Sequence, residues 1–266
     1  MKTIEEKYEG LKRIIKGLDR VLVTFSGGVD STFLLKCCID VLGRESVLAF
    51  IGASPSYPAR EMEEAKEYAA LIGADYICIQ TSEMADPDYL RNPRERCYYC
   101  KRNLFEMAEK TAKAKGLAHI LEGSNLDDMD DFRPGRRAVA EKGAVSPLLM
   151  AELTKAEVRE LSKVLGLPTH DKPSLACLAS RVPYGTAIDA VLLKKIEDSE
   201  EFLKSLGIRQ ARVRVHGDMA RIEVADPDFD IAIINRKKIV DRLKELGFTY
   251  VALDLRGYRT GSMNEV

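Results

Sequence analysis

The sequence predicts an α/β protein with a helix-covered parallel sheet, followed by a small C-terminal α+β domain. Short apolar, β-branched runs alternate with segments of helical spacing through about residue 167. A Gly-Gly pair separates the first such run from the first helix of this series. After about residue 185 the order becomes helix, two alternating strands, helix and strand. Alternating strands and helices imply right-handed crossovers, and therefore a parallel sheet.

The elements follow in order from a charged, helix-patterned segment at the N-terminus. The predicted strands of the sheet are residues 20–25, 46–53, 75–80 and 119–123, with a fifth over 142–149. The predicted helices between them are 30–43, 58–74, 100–117 and 154–167. Thr154 and Glu157 stand at capping-box spacing at the start of the last of these helices.

Residues 168–188 form a long stretch rich in Pro and small residues, the kind of loop that often carries function. The C-terminal elements are a helix over 189–207, strands over 210–217 and 219–225, a helix over 229–247 and a strand over 249–255. We therefore predict two domains, residues 1–184 and 185–266.

Composition indicates an ordinary globular protein. The chain has 266 residues, of which 45% are hydrophobic and 31% charged. Its start is charged, with no apolar signal region, and no run approaches the roughly 18 apolar residues that a membrane span needs. We expect a cytoplasmic protein. The formal net charge of −1 argues weakly against a large, nonspecific nucleic-acid footprint.

The six cysteines divide by their surroundings. In a cytosolic chain they indicate free thiols, metal ligands or catalytic groups before disulfides. Those in apolar helix or strand patterns, predicted to be buried as small hydrophobes, are Cys37, Cys38 and Cys78. Those in polar segments predicted as loops are Cys97, Cys100 and Cys177. Cys97 and Cys100 have the Cys-x-x-Cys spacing of half a metal site or of a redox pair.

The strongest motif is Ser26-Gly27-Gly28-Val29-Asp30-Ser31, between the first strand and its helix. At such a corner, successive backbone N–H groups and the helix N-terminus bind phosphate. Gly27 and Gly28 let the backbone approach an anion closely, and the two serines add hydroxyl donors. Asp30 beside a polyphosphate makes sense when Mg²⁺ joins the two. The alternative is a tight turn in which Asp30 serves as an N-cap.

This motif resembles the loop of the PP-loop, or N-type, ATP pyrophosphatases. The Lys-Ser/Thr ending of the Walker loop is absent, whereas Ser146-Pro147-Leu148 and the helix after it also look like the superfamily. The resemblance covers roughly residues 15–170. It implies a Rossmann-like, adenine nucleotide α-hydrolase-like domain that cleaves ATP between its α- and β-phosphates to adenylate a substrate.

Three further segments narrow the resemblance. They are NPRERCYYCKRNLF, EGSNLDDMDDFRPGRRAV and KPSLACLASRVPYGTAI. With the C-terminal RVRVHGDMARIEV, they are similar to the LarE family of ATP-dependent sulfur transferases, over nearly the whole chain. The resemblance implies that carboxylates of a pyridinium dicarboxylate mononucleotide are adenylated and converted to thiocarboxylates, in synthesis of the nickel-pincer nucleotide of lactate racemase.

The family uses two sulfur sources, and the resemblance leaves both open. In some members a cysteine in the position of Cys177 gives up its own sulfur and becomes dehydroalanine. In other members three cysteines hold a [4Fe–4S] cluster, which the resemblance assigns here to Cys97, Cys100 and Cys177, and its open iron binds a sulfide from a separate donor. Three alternatives remain: a zinc site with His170 as fourth ligand, a simple redox pair, and two incidental thiols at the start of a helix.

The charged candidates carry less information. Arg133, Arg136 and Arg137 would clamp phosphate or carboxylate, or belong to a solvated loop. Arg212 and Arg214 share one face of a strand and suit a substrate phosphate, or else form a surface ion-pair ladder, with Arg181 as a further candidate. Acidic residues, of which one is expected to assist with magnesium, are Asp127, Asp128, Asp130 and Asp131. Weaker candidates are Glu200, Glu201 and Asp230.

Two other functions compete with sulfur transfer to a mononucleotide. A tRNA thiolase would share the ATP loop and the three-cysteine cluster, but the near-neutral charge and the LACLASRVPYG segment count against it. A nonenzymatic ATP-binding iron–sulfur sensor would have no need of Asp30. The family resemblance also implies a homo-oligomer, such as a hexamer.

Overall fold

The computed structural model describes residues 2–129, 134–173 and 176–259. They form two compact units. The first takes in the residues up to Asp86 and those from Glu95 to the undescribed pair at 174–175. The second takes in Pro87–Arg94 and the described residues from Ala176 onward. The assignment of residues 1–184 and 185–266 to an ATP domain and a substrate domain stays a prediction.

The first unit is built on a four-stranded parallel sheet in the order β3-β2-β1-β4. Its strands are β1 (Val21–Thr24), β2 (Val47–Ala53), β3 (Asp75–Gln80) and β4 (His119–Leu121). Its helices are α1 (Ile4–Lys16), α2 (Val29–Leu42), α3 (Ala59–Ile72), α5 (Arg96–Lys115), α6 (Gly135–Glu141), α7 (Pro147–Met150) and α8 (Lys155–Val164). The predicted α/β class with a parallel sheet is confirmed.

Helices cover both faces of this sheet because neighbouring side chains of a strand point to opposite sides. Val21 and Val23 of β1 join the larger core cluster with residues of α1, α2 and α8. Leu22, between them, packs instead in a second cluster with Ala108 and Ala112 of α5. β1 is therefore buried on both faces, which explains its uninterrupted apolar sequence.

Local signals set the ends of several helices. α1 and α8 begin with capping boxes, Thr3 with Glu6 and Thr154 with Glu157, in which each side chain bonds the other residue's backbone N–H. The capping box predicted at Thr154 is thus confirmed. Within the described residues, no helix is long and apolar enough to cross a bilayer.

The second unit contains a three-stranded sheet in the order β5-β6-β7. β5 pairs antiparallel with β6, and β6 pairs parallel with β7. Its strands are β5 (Ala211–His216), β6 (Met219–Val224) and β7 (Tyr250–Leu253). Its helices are α4 (Pro87–Leu90), α9 (Ala190–Ser205), α10 (Phe229–Ile234) and α11 (Arg236–Glu245). A small second sheet with helices agrees with the predicted α+β character.

Four sequence expectations need correction. The fifth strand is reduced to one bridge between Leu121 and Val145, because the chain turns at Ser146 into α7, with Pro147 at its first position. The predicted helix over 229–247 is two helices that meet at Asn235. Cys78 is exposed because β3 is an edge strand that pairs with β2 alone, whereas Cys37 and Cys38 are buried as expected.

The fourth correction concerns the Cys-x-x-Cys pair. α5 begins at Arg96, so that Cys97 and Cys100, its second and fifth residues, lie in a 20-residue helix rather than in a loop. The sequence RCYYCKRN has helix-compatible residues throughout, and Pro93 lies outside the helix.

Candidate active site

The sheet topology produces one crevice where a ligand can bind. From β1 the chain moves to β2 and β3 on one side of the sheet and then crosses to β4 on the other. In an open parallel sheet, ligands bind at the carboxyl ends of the strands, where the order reverses. A Cβ added to Gly123, just after β4, would lie 3.1 Å from Ser31 N and 3.3 Å from Asp30 Cβ. The segments that follow β1 and β4 thus meet closely at this point.

The loop from Ser26 to Gly28 has the geometry of an anion cradle. Gly27 has a φ of +65°, and a Cβ there would lie 2.9 Å from Cα of Ala65 in α3. Gly28 is the N-cap of α2 and has no side-chain cap. Ser31 Oγ donates to Gly28 O over 3.2 Å and lies 3.3 Å from Ser26 N. The first-turn amides of a long helix therefore face a loop of two glycines and two serines.

Asp30 is held at the edge of this cradle by two side chains from distant segments. Asn125 Nδ2 donates to Asp30 Oδ1 over 3.2 Å. Lys155 Nζ forms an ion pair with Asp30 Oδ2. A carboxylate beside a phosphate loop is a hard oxygen ligand of the type that Mg²⁺ prefers. Here the Lys155 ammonium already faces this carboxylate. The residues present therefore fit a magnesium site.

Lys172 fixes the loop from the opposite side. Its Nζ donates to Gly27 O over 3.3 Å and pairs at 2.8 Å with Glu61 and Glu64 of α3. Burial acts to lower the pKa of Lys172. The hydrogen bonds to the two glutamates and their negative charges outweigh burial, so the pKa is raised. Burial would raise the pKa of Glu64, but Lys172 and Arg60 keep it below its ordinary value. The ammonium is therefore charged and ties the loop to α3.

Cys97 and Cys100, the two candidate ligands in the first unit, stand near the start of α5. Cys97 is exposed and Cys100 half-buried, and a separation of three residues puts them on one helical face. A helix N-terminus favours thiolates, which are the form that binds metals. The pair thus fits two ligands of a metal site. The described residues contain no group of three His, Cys, Asp or Glu side chains placed to hold a metal.

Cys177 lies in the second unit, at the start of a short 3₁₀ turn over Leu178–Arg181. Its side chain is half-buried. Arg181 Nη1 donates to the carbonyl oxygens of Ala176 and Cys177, and its other two nitrogens donate to Glu200. Burial would raise the pKa of Glu200, but the charge and hydrogen bonds of Arg181 hold it below its ordinary value. The backbone at Cys177 is thus held by a buried arginine that is itself ion-paired with a buried glutamate.

Arg212 and Arg214 share one face of β5, as predicted, but their partners differ. Arg214 pairs at 2.9 Å with Glu223 and donates to Ser180 O over 3.1 Å. Arg212 donates to its neighbour's carbonyl, Ala211 O, and lies 5.3 Å from the ring centre of Tyr258. No carboxylate of the described residues forms an ion pair with Arg212. Burial and the charge of Arg181 lower the pKa of Arg212.

The remaining predicted residues fall into three groups. Those that lie outside the described residues are Arg133, Asp130 and Asp131. Within the first unit, Arg136 donates to Asp128 O, and the guanidinium of Arg137 lies 3.9 Å from the Tyr98 ring centre. Asp127 accepts a hydrogen bond from Lys155 N, and Asp128 accepts one from Asn125 N. A ring nitrogen of His170 is hydrogen-bonded to Leu167 O. In the second unit, Glu201 pairs with Lys204, and Asp230 lies in the first turn of α10.

Sequence reasoning did not single out Lys155, Lys172 or Asn125. Each stands inside a segment that was matched to a family, but an isolated lysine or asparagine gives no pattern. Lys155 and Lys172 are 125 and 145 residues from their partners in the ATP loop. Only the fold could reveal these contacts.

Comparisons with known proteins agree with this geometry. A sequence model of the NAD synthase family matches residues 4–115. The chain is 36% identical over 265 residues to the pyridinium-3,5-bisthiocarboxylic acid mononucleotide synthase of Lactiplantibacillus plantarum, covering 100% of this chain and 96% of the relative. It is 41% identical to an uncharacterized Synechocystis protein, with 99% and 98% covered. It is 27% identical to the NH(3)-dependent NAD(+) synthetase of Pyrococcus horikoshii, with 78% and 84% covered.

The SGGVDS loop at the switch point of a parallel sheet defines a PP-loop ATP-utilising enzyme. Within that class, the full-length likeness to the L. plantarum synthase is specific. The chain belongs to the LarE family of ATP-dependent sulfur transferases.

Proposed function

We propose that this protein converts carboxylates of pyridinium-3,5-biscarboxylic acid mononucleotide to thiocarboxylates at the expense of ATP, in synthesis of the nickel-pincer nucleotide. The observation that carries the proposal is the Ser26–Ser31 loop, with Asp30 at its edge. The chain that contains this loop is similar over its full length to a synthase of the bisthiocarboxylic product. Neither a tRNA thiolase nor a sensor protein has comparable support.

Two chemical steps are needed because a carboxylate does not exchange oxygen for sulfur unaided. In the first, a carboxylate oxygen attacks the α-phosphorus of ATP, and the bond to the bridging oxygen breaks, giving acyl-AMP and pyrophosphate. In the second, a sulfur nucleophile attacks the acyl carbon, and AMP leaves with its electron pair. The free amides of the ATP loop would stabilise charge on the phosphates as it develops.

Asp30 would hold Mg²⁺, with Asn125 orienting the carboxylate over 3.2 Å. The metal would neutralise phosphate oxygens and orient pyrophosphate as the leaving group. Lys155 now pairs with Asp30 and would be free to turn to a phosphate oxygen once the metal binds. Lys172 keeps the carbonyl of Gly27 directed away from the anion.

Arg212 is the best candidate for the phosphate of the mononucleotide. It is 7% exposed and has no ion-paired carboxylate within the described residues, so an anionic ligand would relieve the cost of a buried cation. Arg214 and Arg181 already bind Glu223 and Glu200. Arg137 and Arg133 remain candidates for contacts on the nucleotide side.

The sulfur has two candidate sources. Cys177 thiolate would form a thioester with loss of AMP; removal of its Cα proton would then break the Cβ–Sγ bond, leaving dehydroalanine and the thiocarboxylate. Alternatively, Cys97, Cys100 and Cys177 would bind a [4Fe–4S] cluster, which would supply a sulfide from an external donor at its open iron. The Cys97–Cys100 helical face supports two of the three ligands of the second route.

The test is anaerobic purification with iron and sulfide analysis, followed by product and protein masses after reaction with ATP and the dicarboxylate mononucleotide. Loss of one hydrogen sulfide per protein supports the sacrificial route, and repeated turnover of an unchanged protein supports the cluster. Cys97→Ala should abolish transfer only in the cluster route. Cys78→Ala, at an exposed cysteine in β3, is the matched control. Absence of both pyrophosphate and thiocarboxylate would refute the proposal.

We further propose a cytoplasmic homo-oligomer without tRNA as substrate. The homo-oligomer follows from the family resemblance. Light scattering would measure the oligomeric state. Tight, salt-sensitive tRNA binding would instead favour a thiolase.

A further inference from the structure

The guanidinium of Arg181 links the backbone at Cys177 to the buried interior of the second unit. Arg181 is 2% exposed. Its Nε and Nη2 donate to the two oxygens of Glu200 over 2.9 and 3.0 Å, a bidentate pair. Glu200 is itself buried and accepts a hydrogen bond from Val213 N of β5 over 3.0 Å. One end of this arginine is therefore anchored to α9 and the sheet.

The other end holds the chain at Cys177. Nη1 donates to Ala176 O over 2.7 Å and to Cys177 O over 2.8 Å. Cys177 O also accepts from the backbone N–H and the hydroxyl of Ser180, over 2.9 and 2.7 Å. The carbonyl of Cys177 thus has three donor groups, whereas the thiol side chain remains half-buried. The backbone is fixed while the sulfur stays accessible.

A second anchor acts on the same turn. Arg214 Nη1 donates to Ser180 O over 3.1 Å, and its other nitrogens bind Glu223, which is fully buried. The turn that starts with Cys177 is therefore held at two carbonyls by two buried arginines.

We propose that Arg181, oriented by Glu200, is a positioning residue that fixes the direction of the Cys177 side chain for sulfur transfer. The inference rests on the proposed function and holds whether Cys177 donates sulfur or ligates a cluster. Because all three guanidinium nitrogens bind protein atoms, Arg181 does not serve as a substrate anion ligand. A lysine retains the charge but lacks the planar fork, and so cannot span Glu200 and both carbonyls at once.

The experiment compares full-length wild type, Arg181→Lys and a matched control, Arg209→Lys, which changes an exposed arginine of the same unit. The first readout is the rate of Cys177 alkylation by iodoacetamide against pH, followed by peptide mass spectrometry. The second is the rate of pyrophosphate release beside that of thiocarboxylate formation. The third is the KM for the mononucleotide.

For Arg181→Lys we expect several-fold faster alkylation of Cys177, because the loosened turn exposes the thiol. We expect thiocarboxylate formation to fall about 10- to 100-fold, as for a misplacement of about 1 Å, with pyrophosphate release and KM near wild type. Arg209→Lys should resemble wild type throughout. A raised KM would make Arg181 a ligand instead, and an unchanged alkylation profile would overturn the proposal.

Glu200→Gln provides a second route if Arg181→Lys does not fold. It keeps the arginine but removes the charged anchor, and we expect the same faster alkylation with a smaller loss of transfer. Unchanged alkylation in this variant would also count against the inference. The alkylation experiment needs neither ATP nor mononucleotide, so a wild-type protein that makes no thiocarboxylate would refute the proposed function and leave this test intact.

Discussion

Two neighbouring arginines of β5 should respond in opposite ways to the same substitution. Arg212 and Arg214 are 7% and 5% exposed and lie on one face of the strand. Methionine removes the guanidinium of either while keeping an unbranched, apolar side chain. The difference between the two outcomes therefore reports what each guanidinium binds.

Arg214→Met removes one ion-pair partner of the buried Glu223, which keeps Arg221 at 2.9 Å. Breaking a buried pair costs 3–5 kcal/mol, and the retained partner places the loss at about 3 kcal/mol. Arg212→Met breaks no ion pair of the described residues; it removes a charge that also acts on Glu200 and a buried cation that is costly to desolvate. Its free energy of unfolding should stay within about 1 kcal/mol of wild type, or rise.

The affinity for the mononucleotide should change in the reverse order, with the larger loss in Arg212→Met. Hydrogen bonds from a charged group contribute about 1.5–3 kcal/mol, so loss of the Arg212 contact to a phosphate should weaken mononucleotide binding roughly 10- to 100-fold. Urea unfolding by circular dichroism measures stability, and calorimetry with nicotinic acid mononucleotide measures affinity. If Arg212→Met destabilises the fold as much as Arg214→Met and leaves affinity unchanged, Arg212 is structural and the assignment is wrong.

Three further outcomes follow from the first unit and from the buried carboxylate of the second. Gly27→Ala should weaken ATP binding at least about tenfold, because a non-glycine residue at a φ of +65° costs roughly 1–2 kcal/mol and the new Cβ meets α3. Calorimetry measures the affinity, and the control is Gly10→Ala, where an added Cβ has nothing within 4 Å. Lys172→Met should cost about 2–3 kcal/mol by removing the ion pairs to Glu61 and Glu64, of which Glu64 retains Arg60, whereas Lys66→Met, which loses an i,i+3 surface pair, should cost under about 1 kcal/mol in urea unfolding. The pKa of Glu200 lies below its ordinary 4.5 in the folded state, so its contribution to stability is present above pH 4.5 and is lost as pH falls through the lowered value. Glu200→Gln should therefore reduce the loss of stability on acidification, and an unchanged slope would contradict this reasoning.

The sequence by itself determined the features that depend on neighbouring residues. Alternating strands and helices required a parallel sheet, and SGGVDS after the first strand predicted a phosphate loop, because strand, turn and helix N-terminus are local properties. The capping box of α8 was readable for the same reason. The segments around Cys97 and Cys177 carried the family likeness that the full-length comparison then bore out.

Only the tertiary structure decided what each charged side chain binds. Arg181, Arg212 and Arg214 look alike in the sequence, yet two are ion-paired with buried carboxylates and one is not. The same holds for Lys155 at Asp30 and Lys172 at Gly27, whose partners lie far away in the chain. A charge has no directional pattern along a sequence; its role is set by desolvation and by which opposite charge the fold brings within a few ångströms.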